Sequence, residues 1–558
     1  MSGRLELGLL AAAVLAGGLR DPLLGAGGAA AVALLAARRA PLSLGWAAWW
    51  LPWIAWSLLS CLASVQPWAG LPALSRWIMF VVFSALAARW DARERLLWLK
   101  GLCAVAALLA AAAAATGAGR GFGSTMSGLI PPYYNYTAFV LAGAAAAAAA
   151  WALSTDAPRG AAAGALWALV CALLACLVLA GSRGGLMGFG AAALWLVWRR
   201  GGGKIVVAAG AVAALGLVLA FQPFKDFALK RERLVAEARP EIWRAAARMA
   251  VGSPWLGEGP GNFSVGFLRN PVLARGAAAR WGLWTPYAHS EPLQAAAETG
   301  AAGLALWLLG FFAALAGAFG GAGERDGPQA AARAATIALM PQLLVDNMLQ
   351  LPGLSLSVAA ILGVAGAEKG RVRGLRAPAA VLGLATVVCA ASAAPAWLAR
   401  RQPAWAAVGE RLAAAERAAK IFPADAQRAE DVAQILEEAG RGLEAAAQWQ
   451  RAQSLAPFNA IYPWRRARLL PAPRAEEELR RAVELEPDFL SARADHVVVL
   501  SLLKRNEQAR AELQELRRRA AAPRPGTASG YERTIVRRER ADLARAEAAV
   551  SREAKARP

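Results

Sequence analysis

Histidine is nearly missing from this 558-residue chain: His289 and His496 are the only two. No second His or Cys stands ready to complete a usual zinc set beside His289, which argues against metal catalysis and against a bound metal. Cysteine is equally thin. Cys61, Cys103, Cys171, Cys176 and Cys389 all fall inside apolar runs with no CxxC pair, which excludes a disulfide framework and a structural zinc. Acidic residues are short as well, 39 against 61 Lys and Arg, leaving a net charge of +22. In a soluble domain that surplus would suggest nucleic acid. Here the basic residues fall largely in short loops between apolar runs, where they set membrane topology and bind no polyanion. The N-terminal stretch Leu7 to Leu19 has little basic flank and no small-residue cleavage site, so it reads as a retained first helix.

What the chain has in excess is apolar length: 57% of residues are hydrophobic and the mean hydropathy is +0.37. The apolar segments fall at roughly 6–19, 22–36, 42–64, 70–88, 95–116, 135–153, 161–181, 184–198, 204–221, 298–319, 331–349, 353–368 and 377–397. They predict an all-α, polytopic membrane protein of about 12–13 transmembrane helices. Residues 1–130 form its N-terminal helices, and residues 131–400 a second membrane region that includes a polar loop at 222–297.

Arg38–Arg39, the Arg89-to-Lys100 segment, Arg199–Arg200 with Lys204, and Lys369 to Arg376 occupy alternate connections, which the positive-inside rule assigns to the cytoplasm. Tyr133 to Tyr136, the Gly181-to-Gly185 turn and the whole polar loop then face outward. After Trp397 the composition turns to Glu, Arg, Gln and Ala on that same outer side. Phe422-Pro423, Ala456-Pro457 and Glu486-Pro487 each follow an amphipathic helix at intervals of 34 and then 30 residues. Residues 401–520 therefore resemble tetratricopeptide repeats, whose stacked helix pairs form a binding surface for a protein partner; the competing reading is a plain helical hairpin domain. Residues 521–558 form a loose connection and one last charged helix.

Three constellations could carry chemistry. Gly181-Ser182-Arg183-Gly184-Gly185 joins two apolar runs; it reads either as small-residue helix packing with a snorkelling arginine, or as an anion site in which a guanidinium meets phosphate bidentately. Arg239 precedes Pro240, a favoured first helical residue, so it stands beside a helix N-terminus that favours anions. Arg244 and Arg248 share one face of that helix, and Arg248 is expected on its solvated side. From Lys225 to Glu291 there are ten Lys or Arg against six Asp or Glu, a local bias toward acidic ligands. The glycines of Gly257-x-Gly259-Pro260-Gly261 are followed by no Lys-Ser or Lys-Thr, so they read as a tight turn and no nucleotide loop. His289, in His289-Ser290-Glu291-Pro292-Leu293, is the candidate base, since a neutral imidazole accepts a proton near pH 7. Asp346 and Asn347 are a polar pair that could line the same cavity. His496 is expected to be packing.

Ser182-Arg183-Gly184, Arg239-x-x-x-Trp243, Pro254-x-x-Gly257-x-Gly259-Pro260-Gly261-Asn262-Phe263, and His289-Ser290-x-x-Leu293 with Glu298-x-Gly300 follow one another in an order that resembles the O-antigen ligase and O-antigen polymerase superfamily of bacterial membrane glycosyltransferases. The likeness covers roughly 130–365 in motif order, and the N-terminal helices by hydropathy alone; Ser290 departs from the Asn more common after this His. The resemblance implies transfer of a glycan from an undecaprenyl diphosphate carrier to a glycan, lipid or protein acceptor outside the bacterial inner membrane, without a cofactor. It implies that Arg183 and Arg239 bind the diphosphate and that His289 orients or deprotonates the acceptor hydroxyl. Ser182, Trp243, Glu298 and Asp346 would support them, with Glu298 either orienting His289 or serving the helix end. The competing reading of the whole chain is a non-enzymatic membrane scaffold that displays the repeat domain.

Overall fold

A computed structural model describes residues 2–15, 21–117, 134–180, 182–199, 238–270, 285–319, 326–366, 376–521 and 539–555, and these are helical almost throughout. They form two compact units. The first comprises Met1–Glu232, Ala250–Gly261 and Tyr287–Ala396; the second comprises Arg233–Met249, Asn262–Pro286 and Trp397–Pro558.

In the first unit every expected apolar segment that falls on described residues is helical; the segment 204–221, Arg200, Lys204 and Gly181 lie outside them. Helix is what apolar sequence must adopt in hydrocarbon, because only helices and closed barrels satisfy every backbone N–H and C=O without water. Among the described residues seven helices are long and apolar enough to cross a membrane: Gly45–Ala63, Pro67–Ala87, Ala92–Ala112, Asn135–Ala152, Ala161–Leu179, Glu291–Phe319 and Ala379–Leu398. Leu23–Arg38 and Pro352–Ala365 are apolar but shorter. One feature falls outside the all-α expectation: Leu42–Ser43 pairs antiparallel with Arg376–Ala377, Leu42 opposite Ala377.

The helices Tyr134–Ala152 and Gly327–Val345 pack antiparallel. At one end Asn135 bonds Asp346, and at the other the Gly327 N–H donates to Asp156. Each helix has 19 residues. At about 1.5 Å per residue the two ends stand about 28 Å apart, close to the hydrocarbon thickness of a bilayer. The Asp156 end is rich in charge. Glu6 accepts from Trp90 Nε1 at 2.6 Å and pairs with Arg39 at 3.1 Å; Arg95 pairs with Asp326 at 2.7 Å. Between the ends lies an aromatic core in which Trp50 stacks on Trp77, with ring centroids 5.1 Å apart, and meets Phe80 and Trp307 edge-on. Gly310 permits this approach, since a Cβ there would sit 2.6 Å from the Trp50 ring.

The second unit is a run of short helices: Val408–Ile421, Ala426–Glu438, Gly442–Leu455, Ile461–Ala467, Ala472–Leu485, Leu490–Leu502 and Asn506–Ala520, with Glu539–Lys555 packed on the last pair. Pro423, Pro457 and Pro487 each stand two residues past a helix end, where a residue that cannot continue the helix belongs. Small residues such as Ala429, Ala433 and Ala452 let the helices close around Trp449, Tyr462 and Phe489. Their outer faces are laced with ion pairs, among them Arg466–Glu478 at 2.6 Å and Arg517–Glu547 at 2.8 Å.

Candidate active site

The helix Glu291–Phe319 begins seven residues before the apolar segment expected at 298, so the polar loop ends sooner than 297. Its first two turns carry Glu291 and Gln294, which look like loop in sequence, and Glu298, expected at the helix end; all three are buried. Burying them is tolerable because each has partners. Glu291 accepts from the Leu349 N–H at 2.7 Å and from Gln350 Nε2 at 2.9 Å, and Gln350 in turn accepts from Arg76 at 2.7 Å. Gln294 accepts from the Ala288 N–H and donates to Glu298 at 2.8 Å.

The helix is broken at Gly300, whose φ of 71° and ψ of −173° interrupt the ladder. The carbonyls freed by that break find donors from outside. Glu258 N–H donates to Ala297 O at 3.0 Å, Gly259 N–H and Ser60 Oγ donate to Glu298 O, and Trp56 Nε1 donates to Thr299 O at 3.0 Å. The Gly261 N–H turns to the Glu298 carboxylate at 3.0 Å. The turn can reach the helix only because Gly257, Gly259 and Gly261 all have positive φ, and a Cβ on Gly257 would stand 2.3 Å from the Glu298 carbonyl carbon. Three of its N–H groups are thus spent on the protein, as expected of a positioning turn.

This rigid platform carries His289. Its φ of 51° is left-handed, uncommon for a residue with a Cβ and characteristic of functional sites. Nδ1 lies 3.2 Å from Asp346 Oδ1, the side chains being 21% and 3% exposed. A carboxylate only accepts, so Nδ1 is the donor of this pair. The Asn347 N–H donates to the same Oδ1 at 3.0 Å, and Asn135 Nδ2 to Oδ2 at 2.6 Å. Asp346 follows directly on the helix Gly327–Val345, in extended conformation, which turns its side chain out of the helical path.

Ser182 and Arg183 open the helix Arg183–Arg199 at this same end. Ser182 is buried and its Oγ accepts from the Gly185 N–H at 3.3 Å. A Cβ on Gly184 would sit 3.2 Å from Gln342 and 3.6 Å from Val345, the residue before Asp346. The first unit therefore brings Ser182, Arg183, His289 and Asp346 into one neighbourhood, with Glu298 about two helix turns along from Glu291, bonded to Gln294 and Gly261. Arg239 and Trp243 belong to the second unit. Arg239 lies in the first turn of the helix Ala238–Gly252, on which Arg244 and Arg248 are exposed. Asn135, Glu291 and Gln294 were not singled out from sequence. The signal for them was faint: lone amides and a carboxylate flanking apolar runs.

Residues 167–308 match the protein-family model described as O-Antigen ligase. No curated protein matches the chain. The matched segment holds Ser182, Arg183, Arg239, Trp243, His289 and Glu298 and stops short of Asp346. This supports the O-antigen ligase superfamily for the central segment of a multi-pass membrane protein, and points to a function of the membrane glycosyltransferase type.

Proposed function

We propose that the chain transfers a glycan from undecaprenyl diphosphate to an acceptor hydroxyl on the extracytoplasmic face of the bacterial inner membrane. The observation that carries this reading is the His289–Asp346 pair inside a segment matched to O-antigen ligases. With Nδ1–H held by Asp346, Nε2 is the basic nitrogen, able to take the acceptor's proton as its oxygen attacks the anomeric carbon. The carbon–oxygen bond to phosphate breaks, and undecaprenyl diphosphate leaves with the electron pair. Arg183 and Arg239 meet the charge that develops on that leaving group. In this reading two guanidinium groups do what a divalent cation does in other diphosphate transfers.

The outward orientation is supported by the basic end of the bundle. Arg39, Arg89 and Arg95 stand with Asp156 and Asp326, about 28 Å from His289 along the paired helices, and Arg199 closes the helix that Arg183 opens. The helices from 408 to 520 would offer a tetratricopeptide-like surface to a protein partner or acceptor.

Lipid-linked and surface glycans of a host strain deleted for this chain test the reading. Accumulated single repeat units indicate a polymerase; long carrier-linked chains that never reach their acceptor indicate a ligase. If Arg183→Ala, Arg239→Ala and His289→Ala all restore normal surface glycan, while a chain lacking 404–558 does not, the protein is a scaffold.

A further inference from the structure

We infer that the side-chain amide of Asn347 is a recognition group for hydroxyls of the glycan brought to His289; the inference rests on the glycan-transfer reading above. Asn347 is fully buried, and neither its Nδ2 nor its Oδ1 has a hydrogen-bond partner among the described residues. Buried polar atoms are nearly always satisfied, so an amide orphaned at both ends needs an occupant. The backbone that carries the residue is pinned on both sides of it. Asp346 is held by Asn135, and Leu349 and Gln350 are held by Glu291.

Its position is next to the reacting centre. The Asn347 N–H and His289 Nδ1 share the single oxygen Asp346 Oδ1. One helical turn before Asp346, Gln342 is also buried, with an unpartnered Oε1 and its Nε2 only 3.5 Å from the Asn135 carbonyl. Three orphaned amide atoms thus belong to residues within four positions of Asp346.

The chemistry of the group selects its ligand. An amide offers one donor side and one acceptor side, and a sugar hydroxyl donates and accepts at once. A diphosphate at neutral pH accepts only, so it could satisfy Asn347 Nδ2 but would leave Oδ1 unpaired. Both ends of the amide are therefore satisfied by glycan hydroxyls and only one by the phosphates assigned to Arg183 and Arg239.

The test uses the purified full chain in lipid, with two probes: bare undecaprenyl diphosphate, and the carrier-linked glycan extracted from a host deleted for this chain. In Asn347→Leu, a substitution of similar volume, the thermal midpoint is expected to hold or rise, because an unsatisfied buried amide has been removed. Affinity for the carrier-linked glycan is expected to fall about tenfold with the loss of two neutral hydrogen bonds, and affinity for the bare carrier to stay the same. Asn347→Ala gives the same readout if leucine does not fit. Unchanged glycan affinity, or an equal loss for both probes, overturns the inference. So does a midpoint lowered by more than about 5 °C in both variants, which would mean that the amide holds a structural water. The unsubstituted chain is run alongside: no transfer of the carrier-linked glycan there defeats the glycan-transfer reading itself, and this inference with it, whatever Asn347→Leu does.

Discussion

The two histidines sit among carboxylates in opposite ways. His496 lies in the middle of the helix Leu490–Leu502, with Glu476 3.6 Å from one ring nitrogen and Glu512 4.0 Å from the other. Those carboxylates also pair with arginines: Arg493 with Glu512 and Arg505 with Glu476. Burial works against the charge on Glu512, yet His496 and Arg493 together hold its carboxyl below the usual range. His289 stands instead at a chain turn with a left-handed backbone, and its Asp346 is fixed by Asn135 and the Asn347 N–H. One imidazole fills a space among charges that are already paired. The other is aimed by a carboxylate that is itself held in place, which is how a base is presented to a substrate.

The contrast extends to their surroundings. Around His289 the polar groups are buried and serve one another through long-range contacts, so single changes should be felt strongly. Around His496 the carboxylates are already paired with arginines, of which Arg505 is half exposed, where an ion pair contributes little. The largest effect is expected from Gly257→Val, which drives a Cβ into the Glu298 carbonyl at a positive-φ position. It should destabilise the first unit by about 3 kcal/mol, seen as a lowered unfolding midpoint in lipid. Asp346→Ala should cut transfer about 100-fold with the fold retained, and its residual rate should show a changed pH profile because Nδ1 has lost its acceptor. His496→Ala should do the reverse, costing about 1–2 kcal/mol of stability while transfer stays within twofold. Asp346 and His496 variants with similar losses of transfer would erase the comparison.

Much of this was legible from residue type alone, because polar residues are conspicuous in an apolar chain. Arg183, His289 and Asp346 stood out for that reason, and the prolines at 423, 457 and 487 marked helix ends that the structure bears out. The helix start at Glu291 was not legible. Glu291 reads as loop until Leu349 and Gln350 supply its partners, and Glu298 as a helix end until Gly261 reaches it, from 37 or more residues away, and no local pattern carries such contacts. Asn135 was hidden likewise, since its meaning depends on Asp346, 211 positions distant. The pairing of Leu42 with Ala377 joins two segments too short to have a strand period.

The central claim is that His289 is the working histidine. The most direct measurement is the rate of glycan transfer by the purified full chain in lipid, with His289→Ala and His496→Ala compared at equal folded fraction. The account predicts a loss of at least about 100-fold for His289→Ala and less than twofold for His496→Ala. A His289→Ala protein that keeps most of its activity would contradict it.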